Sequence, residues 1–89
     1  MLSPAERKTL KARAHKLEPV VIIGNKGLTA ELLAETDRAL TAHELIKVRA
    51  PALERAERDS VFRELCRHTG AEAVQQVGKV LVIYRRGDP

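Results

Sequence analysis

Gly24, Asn25, Lys26 and Gly27 are four consecutive residues whose types and spacing suit the holding of an anion. Two glycines three positions apart remove the Cβ atoms that would otherwise screen backbone N–H groups from an approaching oxygen. Lys26 puts a cation at the tip. Thr29 can cap a helix starting just beyond, and the positive end of that helix then faces back into the same turn. Together these residues describe a small cradle for phosphate. In a basic chain, a nucleic-acid backbone suits this cradle better than a free nucleotide.

Two better-known phosphate loops fail on these residues. The Walker pattern needs a Lys-Ser/Thr pair at its second glycine, and Leu28 follows Gly27 here. The dinucleotide fingerprint needs three glycines and an acid at the end of the next strand, where this chain has Arg49. G-x-x-G remains, the short loop with which KH-type modules clamp an RNA backbone. The same spacing also occurs in ordinary turns, so position on the fold must decide its meaning.

Other chemistry finds little to work with. His15, His43 and His68 fall on three different elements without cysteine or carboxylate at ligand spacing, which argues against a metal site. Cys66 follows Phe62 by one helical turn and reads as a packed thiol. Glu31, Glu35 and Asp37 read as solvated helix surface, and Arg85 and Arg86 as solvated residues near the C-terminus. Phe62 and Tyr84 are the only aromatic residues, and modules that stack bases on a sheet need two or three exposed rings. Recognition should therefore lean on phosphate charge. No catalytic constellation and no cofactor are implied.

The elements that must position the cradle follow from local signals. Ser3-Pro4-Ala5-Glu6 starts a helix, with Leu10, Ala14 and Leu17 as its buried stripe. Arg7, Lys8, Lys11 and His15 fall within one arc of about 100° beside that stripe. Val20–Ile23 reads as a strand covered on both faces, opened by Pro19. A second helix spans Thr29 to about Thr41, with Leu32, Leu33, Thr36 and Leu40 inward. Leu45–Ala50 alternates, Ile46, Val48 and Ala50 pointing one way and Leu45, Lys47 and Arg49 the other. A third helix runs from about Leu53 to Thr69, and 73–77 and 79–85 form a hairpin around Gly78. The order is αβαβαββ, an α/β fold in one domain over residues 1–89. The strands flanking the second helix should be parallel and the last two antiparallel.

Charge is distributed unevenly. The formal net charge is +4, and the first 29 residues hold six basic and two acidic side chains, so the entire excess lies there. A polyanionic partner docking on the first helix and glycine loop would explain this, and a merely solvated basic surface is the competing explanation. The longest apolar runs are far too short to cross a bilayer, so no membrane is implied. One cysteine, Cys66, is compatible with a reducing cytoplasm.

Three blocks, Ile23-Gly24-Asn25-Lys26-Gly27-Leu28-Thr29, His43-Glu44-Leu45-Ile46-Lys47-Val48 and Val77-Gly78-Lys79-Val80-Leu81-Val82-Ile83-Tyr84-Arg85, resemble the signature blocks of the CRM domain, whose bacterial stand-alone form is called YhbY-like. The resemblance implies a four-stranded mixed sheet with three helices, similar to the C-terminal domain of translation initiation factor 3. It also implies RNA binding without catalysis and association with precursors of the large ribosomal subunit. Gly24, Asn25, Lys26 and Gly27 correspond to that family's loop, whereas the cationic stripe Arg7, Lys8, Lys11 and His15 comes from the charge pattern. The expected partner is RNA, specifically precursor large-subunit RNA on ribosomal particles. The alternative is a protein-interaction module that reaches such particles through a ribosomal protein.

Overall fold

The computed structural model describes residues 2–87. Its elements are α1 (Pro4–Ala14), β1 (Pro19–Ile22), α2 (Ala30–His43), β2 (Leu45–Arg49), α3 (Arg55–Thr69), β3 (Glu72–Val77) and β4 (Val80–Tyr84). The order matches the expected αβαβαββ. The second helix runs two residues past Thr41, and the third begins two residues after Leu53, capped by Glu54 without a side-chain hydrogen bond.

Local chemistry explains the ends of the first two helices. Ser3 caps α1 by accepting from the Glu6 amide at 3.1 Å, while the Glu6 carboxylate accepts from the Ser3 amide at 3.0 Å. That reciprocal box satisfies two orphan donors at once. Thr29 caps α2 by accepting from the Leu32 amide at 3.1 Å. Helix α2 ends at Glu44, whose φ of 65° is left-handed and turns the chain sharply into β2. Gly70, at φ 73° and ψ 13°, ends α3 in the left-handed helical region without a Cβ penalty.

The sheet order is β1-β2-β4-β3. β1 and β2 are parallel, Val21 opposite Val48 and Ile22 opposite Arg49. β2 pairs antiparallel with β4, and β4 with β3. Both edge strands carry a register offset, between Pro19 and Val21 in β1 and between Ala73 and Gln75 in β3. The alternation read in 45–50 holds: Ile46, Val48 and Ala50 join the larger core, and Leu45 joins the smaller one on the opposite face.

The two faces are covered unequally. Helices α2 and α3 lay Leu32, Leu40, Phe62 and Leu65 over Val21, Ile23, Ile46, Val48, Leu81 and Ile83. On the other face α1 alone brings Leu10 and Ala14 against Leu45, Val74 and Val82. A helix is about 10 Å wide, and four strands about 4.8 Å apart span more than that. One helix therefore shields the centre and leaves the edges bare. The expectation that β1 is covered on both faces is corrected here: Val21 and Ile23 are buried, but Val20 and Ile22 are 48% and 58% exposed. Val77, on the other edge strand, is 61% exposed.

A second correction concerns the C-terminal end. Arg85 is not a solvated cation: it donates to the Asp37 carboxylate at 2.6 Å, the Asp37 carbonyl at 3.0 Å, the Thr41 hydroxyl at 3.0 Å and the Thr69 carbonyl at 2.7 Å. Asp37, read as solvated surface, is its ion-pair partner. One guanidinium thus ties the end of β4 to α2 and to the last turn of α3. The Arg85 amide adds a bond to the Glu44 carbonyl at 2.9 Å.

Arg85→Ala is expected to lower unfolding stability by about 2 kcal/mol, because a partly buried carbonyl and a carboxylate lose their shared donor. Urea denaturation checks it, and an unchanged midpoint would show the network to be idle. The Glu6 carboxyl is held below the ordinary carboxylate range, first by the Ser3 amide and then by the Ser3 hydroxyl. Its contribution to α1 is fully present above the ordinary glutamate pKa and is lost as pH falls through the depressed value. The Ser3 amide resonance should titrate with that low midpoint; an ordinary glutamate midpoint would mean that the box does not form.

Candidate nucleic-acid interface

The segment from Gly24 to Gly27 is a tight turn leaving the carboxyl end of β1. The Gly27 amide donates to the Gly24 carbonyl at 3.1 Å, so one of the loop's amides closes the turn and is not free for a ligand. Among the described residues, the amides of Gly24, Asn25 and Lys26 have no intramolecular acceptor. Gly27 sits at φ 68°, where any other residue is strained, and a Cβ there would lie 3.9 Å from Val61 of α3. A Cβ on Gly24 would meet nothing within 4 Å, and its φ is outside the left-handed region. Asn25 and Lys26 are exposed. The turn is open to solvent, and the N-terminus of α2 follows three residues after Gly27.

The cations of α1 divide into two groups. Arg7 is half-buried and donates to the carbonyls of Ala73 and Val74, which fastens α1 to the offset in β3. Lys8 is exposed. Lys11 and His15 line a shallow groove of about 310 Å³ together with Lys47, Gln75, Val77 and Val82. The structure therefore brings Lys11 and His15 to a strand residue, Lys47, whose place in the surface the sequence left open.

Strand register connects this groove to the turn. Pro19, Lys47, Val82 and Gln75 are successive partners across the sheet, and Ile22, Arg49, Val80 and Val77 form the last row before the strands end. Lys47 and Arg49 point to the same face, about 7 Å apart along the strand. The glycine turn begins two residues beyond Ile22. A strip thus runs from Lys11 and His15 over Lys47 to Arg49 and on to the turn, on the face that α1 leaves bare. Lys47 and Arg49 were legible from the alternation of 45–50 as a same-face pair on a partly exposed strand; what the sequence lacked was the strand order that lines them up with Lys11, His15 and the turn.

The remaining reactive groups sit apart from the strip. Burial pushes the Cys66 thiol up, which keeps it protonated. Among the described residues no three His, Cys, Asp or Glu side chains converge to hold a metal ion. No helix among them is long and apolar enough to cross a membrane.

The chain is similar to several known proteins. A profile of the CRS1 / YhbY (CRM) domain matches residues 2–85. A Pseudomonas aeruginosa protein named a probable RNA-binding protein is 41% identical over 85 residues, covering 96% of this chain and 82% of the relative. A Haemophilus influenzae protein named an RNA-binding protein is 43% identical over 84 residues, 94% of this chain and 85% of the relative. The solution structure of a hypothetical Staphylococcus aureus protein superimposes with a TM-score of 0.85 at 29% identity, over all of this chain and 93% of the other.

Gly24→Asp adds a carboxylate to open space and should leave the thermal midpoint unchanged while weakening binding to single-stranded RNA about tenfold. Lys47→Gln, which removes one cation, should weaken it several-fold. Fluorescence anisotropy with a labelled oligonucleotide measures both, and wild-type affinity in a folded Gly24→Asp variant would remove the turn from the interface.

Proposed function

This chain belongs to the CRS1 / YhbY (CRM) domain family, and we propose that it is a non-catalytic RNA-binding protein that assists assembly of the large ribosomal subunit by holding precursor ribosomal RNA in the cytoplasm. The observation that carries the reading is the open glycine turn: unpaired amides at Gly24, Asn25 and Lys26, no side chain over Gly24, and a helix dipole behind them. A phosphate placed there gains charge-assisted hydrogen bonds from these amides. Lys26 puts a positive charge at the turn itself, Arg49, Lys47 and Lys11 carry positive charge along the bare strip beside His15, and Lys8 adds charge from the exposed side of α1. Arg7 contributes field, while its guanidinium holds β3. The absence of exposed aromatic rings from the strip makes this a backbone contact and not a base-stacking platform.

Three exposed apolar residues on the edge strands, Val20, Ile22 and Val77, favour a second reading, in which the bare face docks on a ribosomal protein. The two separate on naked RNA. A protein-docking module would bind ribosomal particles yet ignore deproteinised RNA, and Gly24→Asp would matter little to it.

If about four phosphates are engaged on a single strand, log affinity should fall with log salt at a slope near −3. Titrations at four salt concentrations measure this, and a slope near zero would reject the electrostatic mechanism. Crosslinking in cells followed by sequencing of the attached RNA tests the target: enrichment on precursor large-subunit RNA is expected, and scattered messenger fragments would leave only general RNA affinity.

A further inference from the structure

Arg55, Arg58, Asp59 and Arg63 recur at spacings that put them within one arc of about 140° on α3. They line an open surface pocket of about 570 Å³ whose other side is formed by Gln76 and Gly78 of the β3–β4 hairpin. This pocket lies along the β3 edge of the sheet, at the opposite end of the strand order from β1, whereas the glycine turn meets α3 at Val61.

The cavity is unusual for its charge. Among the described residues no carboxylate forms an ion pair with Arg55, Arg58 or Arg63. Asp59, the one acid in the lining, accepts instead from the Gln76 side chain at 2.9 Å. Arg58 is only 9% exposed, on the apolar side of α3 with Phe62 and Leu65. Its guanidinium has a single protein partner, the Leu53 carbonyl at 3.3 Å from Nη1, and its Nε is buried with no acceptor. A buried guanidinium short of acceptors is costly, and Arg55 and Arg63 stand exposed beside it at the mouth of the pocket. An oxyanion in the pocket can accept from Arg58 Nη2, which among the described residues has no protein partner and is not enclosed as Nε is, and from Arg55 and Arg63 at the rim.

The structure assigns to this pocket a second anion site, for a phosphate group held by Arg58 from within and by Arg55 and Arg63 from the rim. The phosphate is either free or part of an RNA backbone, and in the latter case the RNA reaches both sides of the sheet. Asp59 repels any anion here, so an occupant must accept directional hydrogen bonds from the guanidiniums, which a phosphate oxygen does and chloride does poorly.

The test follows the Nε–Hε resonance of Arg58 in the full ¹⁵N-labelled chain while inorganic phosphate, or separately a single-stranded oligoribonucleotide, replaces chloride at constant ionic strength. A saturable shift with either is expected: movement with inorganic phosphate assigns a free-phosphate site, and movement with the oligonucleotide alone assigns a backbone phosphodiester. The Arg55→Gln/Arg63→Gln double variant, altered only at exposed positions, should weaken that binding about tenfold without changing the thermal midpoint. Gly24→Asp should leave it intact, which separates this site from the glycine turn. A resonance that ignores both probes, or moves equally with chloride, would mean that Arg58 is satisfied by water only and would overturn the assignment.

Discussion

A four-stranded sheet needs two helices to cover a face, and this chain supplies two to one side and one to the other. The consequences run through the whole molecule. The face beneath α2 and α3 forms the larger core, with Ile23, Leu40, Leu65 and Ile83 fully enclosed. The face beneath α1 is sealed only where Leu10 and Ala14 reach Leu45, Val74 and Val82. Beyond the C-terminal end of that helix the strands are open, and the residues there are Lys47, Arg49 and the edge aliphatics. Had a fourth helix been present, Lys47 and Arg49 would have required buried partners, and the glycine turn would have faced a wall.

That asymmetry also explains why the cations of α1 do different work. Arg7 sits early in the helix, over β3, and its donors satisfy carbonyls freed by the strand's register offset. Lys11 and His15 sit one and two turns later, where the cover runs out. Charge in the first 29 residues is thus partly a packing device and partly a surface. A count of basic residues cannot separate the two; the distance of each along the helix does.

Much of the fold was legible because its signals are local. The Ser3-Pro4-Glu6 start, the Thr29 cap and the alternation of 45–50 each declare themselves within a few residues, and each appears in the structure as read. Helix ends were less certain: α2 continues to His43 because Glu44 accepts a left-handed conformation that nothing in its identity announces. The failures were non-local. Four aliphatics in 20–23 look the same whether a strand is central or at an edge, so the exposure of Val20 and Ile22 awaited the strand order. Arg85 finds partners 48 and 16 residues away, and no window on the chain contains them. Arg58 occupies a position where helical periodicity calls for a hydrophobic side chain, and nothing in its type announces its burial. At the proposed RNA contact, the glycine spacing was visible from the start. That the Gly27 amide is already committed to closing the turn was not.

The offsets at Pro19–Val21 and Ala73–Gln75 have a meaning for how copies of this protein treat one another. Both outer strands present a broken ladder, and Pro19 has no N–H to offer. A straight, unpaired border flanked by Val20, Ile22 and Val77 would invite a neighbour's strand and then a third, growing into fibres. Interrupting both borders lets the chain keep its greasy rims uncovered, at the concentrations a crowded compartment imposes, without templating its own aggregation.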